Sequence, residues 1–186
     1  MATNDAATLK VGMARFYTAV AGTARPTTVA TLKTPPAAWT EIGNTSFENI
    51  LTLTSEGGAV TTLSSLQNKS LRQSVEARVE SIGVQLLEWT PDSLKLYYGA
   101  NSVITADDAV EVPSEPVPTE KAFLAVLEDG ENVGGFYCSK SSIFRSDDIA
   151  IADTNSLASL PIKITALNAS GAASALTVIT PRATDA

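Results

Sequence analysis

RQSVEARVESIGVQLLEW, residues 72–89, is the stretch on which the fold turns. Val75, Ala77 and Val79 alternate with Ser74, Glu76, Arg78 and Glu80, the period of two that marks a strand with one covered face. After Glu80 the phase turns over, and Ile82, Val84 and Leu86 continue the apolar series on the other parity. Two readings account for this. A one-residue bulge near Ser81–Gly83 restores a single apolar face. Alternatively, the strand is half exposed at one end and covered on both faces at the other. Either way a sheet is built around it.

A short helix follows directly, over about 91–98. Thr90 is placed to cap it, Pro91 suits its first turn, Asp92 complements the positive end of its dipole, and Gly99 closes it. Leu94, Leu96, Tyr97 and Tyr98 exceed what two turns need for one apolar stripe, so most of the helix must be covered. A helix of about eight residues does not stand alone in water, and the apolar face of the sheet is its nearest support.

Working outward, 11–20 and 39–43 have strand character, and 47–56 places Phe47, Leu51 and Leu53 on one face. Between the first two lies AGTARPTTVATLKTPPAA (21–38), long enough to be a binding loop, an extended arm or a disordered segment. Gly57-Gly58 interrupts the pattern, and 60–72 is ambiguous because Val60, Leu63 and Leu66 recur every three residues. The three prolines within 102–120 mark an edge or connector. KAFLAVLEDGENVGGFYCSK (121–140) reads as a hairpin turning at Asp129-Gly130, its first strand apolar on both parities and therefore covered on both sides. In 159–167, Leu160, Ile162 and Ile164 point inward against Lys163 and Thr165; a turn at 169–173 leads to a closing strand at 174–180. These elements make one domain over 1–186 with short terminal tails. The fold is mainly β: an antiparallel sandwich or partial barrel with one short flanking helix.

Composition narrows the function. The 186 residues are 44% apolar and 18% charged, which suits a globular chain able to hold a core without disulfides or metals. Cys138 is the single cysteine and histidine is absent, which removes imidazole-based catalysis and imidazole zinc sites. Asp107-Asp108 and Asp147-Asp148 lack the spacing of a calcium loop, the Ser-Lys-Ser at 139–141 lacks a Ser-x-x-Lys partner, and neither glycine pair belongs to a phosphate loop. Trp39 and Trp89 are read as core residues, and Cys138 as a small buried one. No enzyme, metal or cofactor is expected. The charge of −7 opposes ordinary nucleic-acid binding, yet it suits a surface that a polyanion must slide past. No apolar run is long enough for a membrane span, and the first ten residues lack the pattern of a signal peptide, so the expected site of synthesis is a cytoplasm.

FYTAVAGTARPTT (16–28), WTEIGNTSFENI (39–50), LQNKSLR (66–72), DSLKLYYGAN (92–101), AFLAVLEDGENVGGFYCSK (122–140) and LPIKITALNASG (160–171) form an ordered set over nearly the whole chain. That set resembles the major tail tube proteins of long, non-contractile-tailed phages of actinobacteria. The resemblance implies a β-sandwich with a flanking helix, assembled in the host cytoplasm as six-fold rings that stack into the virion tail. Implied partners are further copies of the chain, the tape measure and tail terminator proteins, and genomic DNA passing through without sequence-specific binding. It also implies that 21–38, with Arg25, Pro26, Thr27, Pro35 and Pro36, is an arm between rings. Glu76, Arg78 and Glu80 become channel-facing candidates; read from the residues alone, they equally fit a solvated strand face with cross-strand ion pairs. The competing functions are a capsid decoration or head–tail joining protein and, in a different class, a ligand-binding sandwich.

Overall fold

A computed structural model of the chain describes residues 8–149, 151, 154–171 and 174–184. The elements run β1 (Met13–Ala19), α1 (Val29–Lys33), β2 (Thr40–Glu41), β3 (Thr52–Gly57), β4 (Val60–Leu63), β5 (Arg72–Val75), β6 (Arg78–Leu86), α2 (Pro91–Tyr98), β7 (Val103–Ile104), β8 (Val110–Glu111), β9 (Thr119–Asp129), β10 (Asn132–Arg145), β11 (Leu160–Leu167) and β12 (Thr177–Arg182). The main sheet is antiparallel throughout, in the spatial order β2–β1–β9–β10–β11–β6–β3, with β12 also paired to β10. Its ends curl toward each other. Ile42 N–H donates to the Phe16 carbonyl on β1, while Thr45 bridges Leu86 at the end of β6. Residues 42–46 are thus the seam of a partial barrel, and the mainly β reading holds.

Strand β10 organises the barrel. One side stays on β9; the other is shared between β12, opposite Val133–Tyr137, and β11, opposite Lys140–Arg145. Between Cys138 and Ser141 the register with β9 shifts, two residues of β10 standing against one of β9. The parity of β10 turns over there, so Phe136 and Cys138 before the shift and Ile143 after it reach the same apolar cluster. The bulge expected at Ser81–Gly83 is absent: β6 keeps unbroken register from Arg78 to Leu86. Of the other reading the exposed end holds, with Arg78 and Val79 exposed; farther along, Ile82, Val84 and Leu86 are buried on one face, and on the other Ser81 is buried while Gly83 and Gln85 are partly covered.

Two apolar clusters lie on opposite faces of β9. Inside the barrel, Phe16, Phe123, Ile82, Val84, Leu86, Ile143 and the inward series Leu160, Ile162 and Ile164 pack together, and α2 adds Leu96 and Tyr97. Behind it, Tyr17, Leu124, Val126, Tyr137 and Ile179 are covered by Leu32 of α1 and by Trp39. Strand β9 is covered on both sides, as its two apolar parities require. The turn into β10 uses Gly130 at φ 59°, the first position of a two-residue loop, where glycine is favoured.

Helix α2 is bounded as expected. Thr90 and Ser93 form a reciprocal capping box, Pro91 opens the first turn, and Gly99 closes the helix through its N–H to Lys95. The Tyr97 hydroxyl donates to the Asp147 carbonyl at 2.7 Å, pinning the helix to the loop after β10. Helix α1 was not expected. It lies inside 21–38, where Thr28 and Thr31 cap each other and Leu32 is fully buried. Segment 47–51 is a further correction: the strand begins at Thr52, and Phe47 is exposed, because the edge of β6 beyond Gly83 is taken by residues 44–46, with Ser46 N–H donating to the Gln85 carbonyl and Thr45 bridging Leu86. Residues 1–7 and 185–186 of the expected tails, and 172–173 of the expected turn, lie outside the described residues.

Candidate functional site

Strands β3, β6, β11 and the second half of β10 form a four-strand surface with two unlike faces. One face is the barrel interior. Strand alternation and the ladder registers place the outer face in rows: Ser142, Thr165, Ser81 and Thr54 align across all four strands. One row along stand Phe144, Lys163, Gly83 and Thr52, and on the other side Lys140 faces Leu167 while Val79 faces Glu56. Glu120 on β9, opposite Ser142, extends the central row. The face therefore combines a central row of small hydroxyls with two lysines, two glutamates and the apolar Val79, Phe144 and Leu167.

Those charges are paired. Lys163 Nζ lies 3.1 Å from Glu56, reaching across β6, where its register partner Gly83 has no side chain. The bridge runs diagonally over the row of Ser81, which is only 2% exposed. Lys140 Nζ lies 2.9 Å from Glu120. Each pair is partly exposed, so its contribution to stability is within about 1 kcal/mol.

Beyond the body, the β3–β6 hairpin continues outward as β4 and β5, joined at a kink. Gly57 and Gly58 adopt φ of 86° and 73°, and a Cβ on Gly57 would stand 2.7 Å from the Ala77 carbonyl oxygen. Past the kink Val60 faces Val75 and Leu63 faces Arg72, and every residue of both strands is exposed. Leu66 at the tip is 99% exposed, and Leu71 beside it is exposed as well. A two-stranded ribbon with apolar side chains on both faces is marginal by itself. The three-residue spacing of Val60, Leu63 and Leu66, ambiguous in sequence, belongs to this ribbon.

The sequence-derived candidates fall in separate places. Glu76 sits at the kink, its N–H donating to the Ala59 carbonyl. Arg78 and Glu80 share parity with Ile82 and Val84, and Glu80 accepts from the Ser55 hydroxyl at 2.8 Å. They occupy the core side of β6 near Leu53 and Leu176, not the outer polar face. The unbroken register of β6 is the reason, since without a bulge Glu80 and Ile82 must share a face. Within 21–38, Pro26 is buried and Pro35 half-buried, while Arg25, Thr27 and Pro36 are exposed. The Tyr137 hydroxyl donates to the Thr23 carbonyl at 2.7 Å and Arg182 to that of Thr27, so the segment is tied to the body. Trp39 is buried edge-on to Tyr137, as expected, but Trp89 is 44% exposed, with its indole N–H on the Ala158 carbonyl.

Catalytic features do not converge. Burial pushes the Cys138 thiol up to about 12, far from a reactive thiolate. The Thr105 hydroxyl holds the Asp107 carboxyl below its usual range within a tight turn. Among the described residues no cluster of three metal-ligating side chains occurs, and no helix is long and apolar enough to cross a membrane.

A family model described as phage tail tube protein matches residues 1–186. The chain belongs to the phage tail tube family. It is 35% identical over 179 residues to "Major tail protein Gp23" of Mycobacterium phage D29, covering 90% of this chain and 88% of the relative. The protein of the same name from Mycobacterium phage L5 is 34% identical over the same coverage. Tail tube family membership makes this chain a structural component of the virion tail and not an enzyme. Sequence reasoning had reached the family, but it missed Thr54, Ser81, Thr165 and Ser142. They lie on four strands and meet only through register.

Proposed function

We propose that copies of this chain join into rings, six to a ring as the resemblance implies, and that the rings stack into the tail tube. The outer face of β3–β6–β11–β10 then lines the bore through which genomic DNA leaves the capsid. The observation that carries this reading is the asymmetry of that surface: one face is closed on the barrel core, while the other carries an aligned row of hydroxyls and two lysine–glutamate pairs, with Val79, Phe144 and Leu167 among them. Nothing among the described residues pairs with the outer edge of β3, and β1 leaves Thr119–Lys121 of β9 unpaired at the opposite end. Joining the first edge to the second in the next copy is a heterologous contact, which closes when its rotation divides a full turn.

The β4–β5 ribbon supplies the contact between rings, its exposed Val60, Leu63, Leu66, Leu71 and Val75 covered by neighbouring subunits. Arg25, Thr27, Pro35 and Pro36 add a second contact on the outside, with Pro26 as an anchor. Glu76, Arg78 and Glu80 flank the rim of the bore at the ribbon's base. The tape measure and tail terminator proteins, partners that the resemblance implies, complete this reading. Electron microscopy of purified protein tests the assembly: hollow filaments or six-fold rings are expected, and discrete monomers at every concentration overturn it.

A further inference from the structure

We infer that Glu56 and Glu120 are masking residues, which keep the two lysines of the proposed bore wall paired and thereby weaken its hold on a passing polyanion. This rests on the outer face lining the bore. Four cations lie on the strands of that surface. Of these, Arg78 shares the side of Ile82, and Arg145, at the end of β10 opposite Ile162, lies over the Phe144 ring, 5.9 Å from its centroid, at the border of the face. The remaining two, Lys140 and Lys163, are on the outer face, and each has its own carboxylate at 2.9 and 3.1 Å. On β9, Lys121 shares parity with inward-facing Phe123, while Glu120 is on the outer side. The two lysines and two glutamates sum to zero, and neither lysine stands alone.

The energetic weight of this arrangement comes from repetition. A single exposed ion pair adds little to the stability of one subunit. A duplex, however, presents about one charge per 1.7 Å and would meet the same lysine in every subunit of every ring. Even a weak attraction per contact, repeated along the tube, becomes a brake. The pairing geometry suits masking more than stability: Lys163 crosses a whole strand to reach Glu56, although Thr52 and Thr165 lie nearer in register. Glutamine keeps the shape and acceptor oxygen of glutamate and removes only the charge, so Glu56→Gln and Glu120→Gln unmask the lysines with least disturbance.

Tubes assembled from wild-type, Glu56→Gln, Glu120→Gln and doubly substituted protein are incubated with a short fluorescent DNA duplex and sedimented. The double variant is expected to retain about ten-fold more duplex than wild type at low salt, with retention falling steeply as salt rises, because each unmasked lysine adds a phosphate contact. The single variants are expected to lie between. Adding Lys140→Gln and Lys163→Gln to the double variant is expected to return retention to the wild-type level, which a merely structural role for the glutamates does not predict. Equal retention by wild type and either single variant overturns the inference. The wall reading is tested separately with Thr54→Cys tubes. Labelling by a small maleimide but not by a polymer-bound one too wide for the bore upholds it, and equal labelling by both overturns it.

Discussion

The two halves of the long hairpin from Thr52 to Leu86 are continuous in backbone and opposite in circumstance. In the body half, Ile82, Val84 and Leu86 of β6 are at most 2% exposed, locked against β11 and the barrel interior. In the outer half, Val60, Leu63, Leu71 and Val75 are all more than half exposed, with the Gly57–Gly58 kink between the two regimes. Side chains of the same apolar kind thus fold one half and leave the other unsatisfied. The body half is explained by the chain itself. The outer half has no such cover within the described residues, and in the proposed assembly other copies supply it.

The sharpest way to break this comparison is to remove the outer half. Replacing residues 59–76 with an Asn-Gly turn is expected to abolish polymerisation entirely while leaving the subunit folded, since all the β4 and β5 residues it removes are exposed. Sedimentation and a thermal melt read the two effects, and a subunit that unfolds would place the ribbon within the core after all. Point substitutions sharpen it next. Leu86→Ala is expected to destabilise the subunit by about 2–5 kcal/mol in a urea titration, through the lost contacts and the cavity left. Leu66→Ala is expected to change the same titration by less than about 0.5 kcal/mol, yet to raise several-fold the concentration needed for polymerisation.

Smaller effects test the supports of the body half. Thr90→Ala removes the helix cap and is expected to cost about 1 kcal/mol, with assembly retained in proportion to the folded fraction. Cys138 tests the closed interior. Its pKa is raised by burial, so its contribution to stability is present below the ordinary thiol range and is lost as pH rises from there toward about 12. A thiol reagent is expected to modify it in neutral buffer only at the rate of unfolding. Fast labelling in the native state would show an open barrel.

Several elements were legible because their signals are local. Thr90, Pro91 and Gly99 mark α2 within ten residues, and the alternation of Leu160, Ile162 and Ile164 marks β11 without reference to anything else. Helix α1 escaped because its five residues are too few for periodicity and its capping box uses Thr31 where glutamate or glutamine is the usual signature. The phase change in β6 suggested a bulge, but the bulge lies in β10 near Ser139 and Lys140, where no break in apolar pattern announced it. There both faces are covered, so parity carries no signal. The polar face was the least legible of all. Thr54, Ser81, Ser142 and Thr165 are scattered over more than a hundred residues, and only the ladder brings them into one row. For the same reason the sequence did not show that Arg78 and Glu80 share the side of Ile82 and not that of Ser81.

A density map of the assembled tube tests the central claim most directly. The face that carries Thr54, Thr165 and Ser142 is predicted to line an open bore, with the Lys163–Glu56 pair lying over Ser81, the Lys140–Glu120 pair beside Ser142, and Leu63 and Leu66 enclosed by adjoining subunits. A map in which that face is packed against a neighbour, or in which the ribbon projects bare into solvent, would contradict the account.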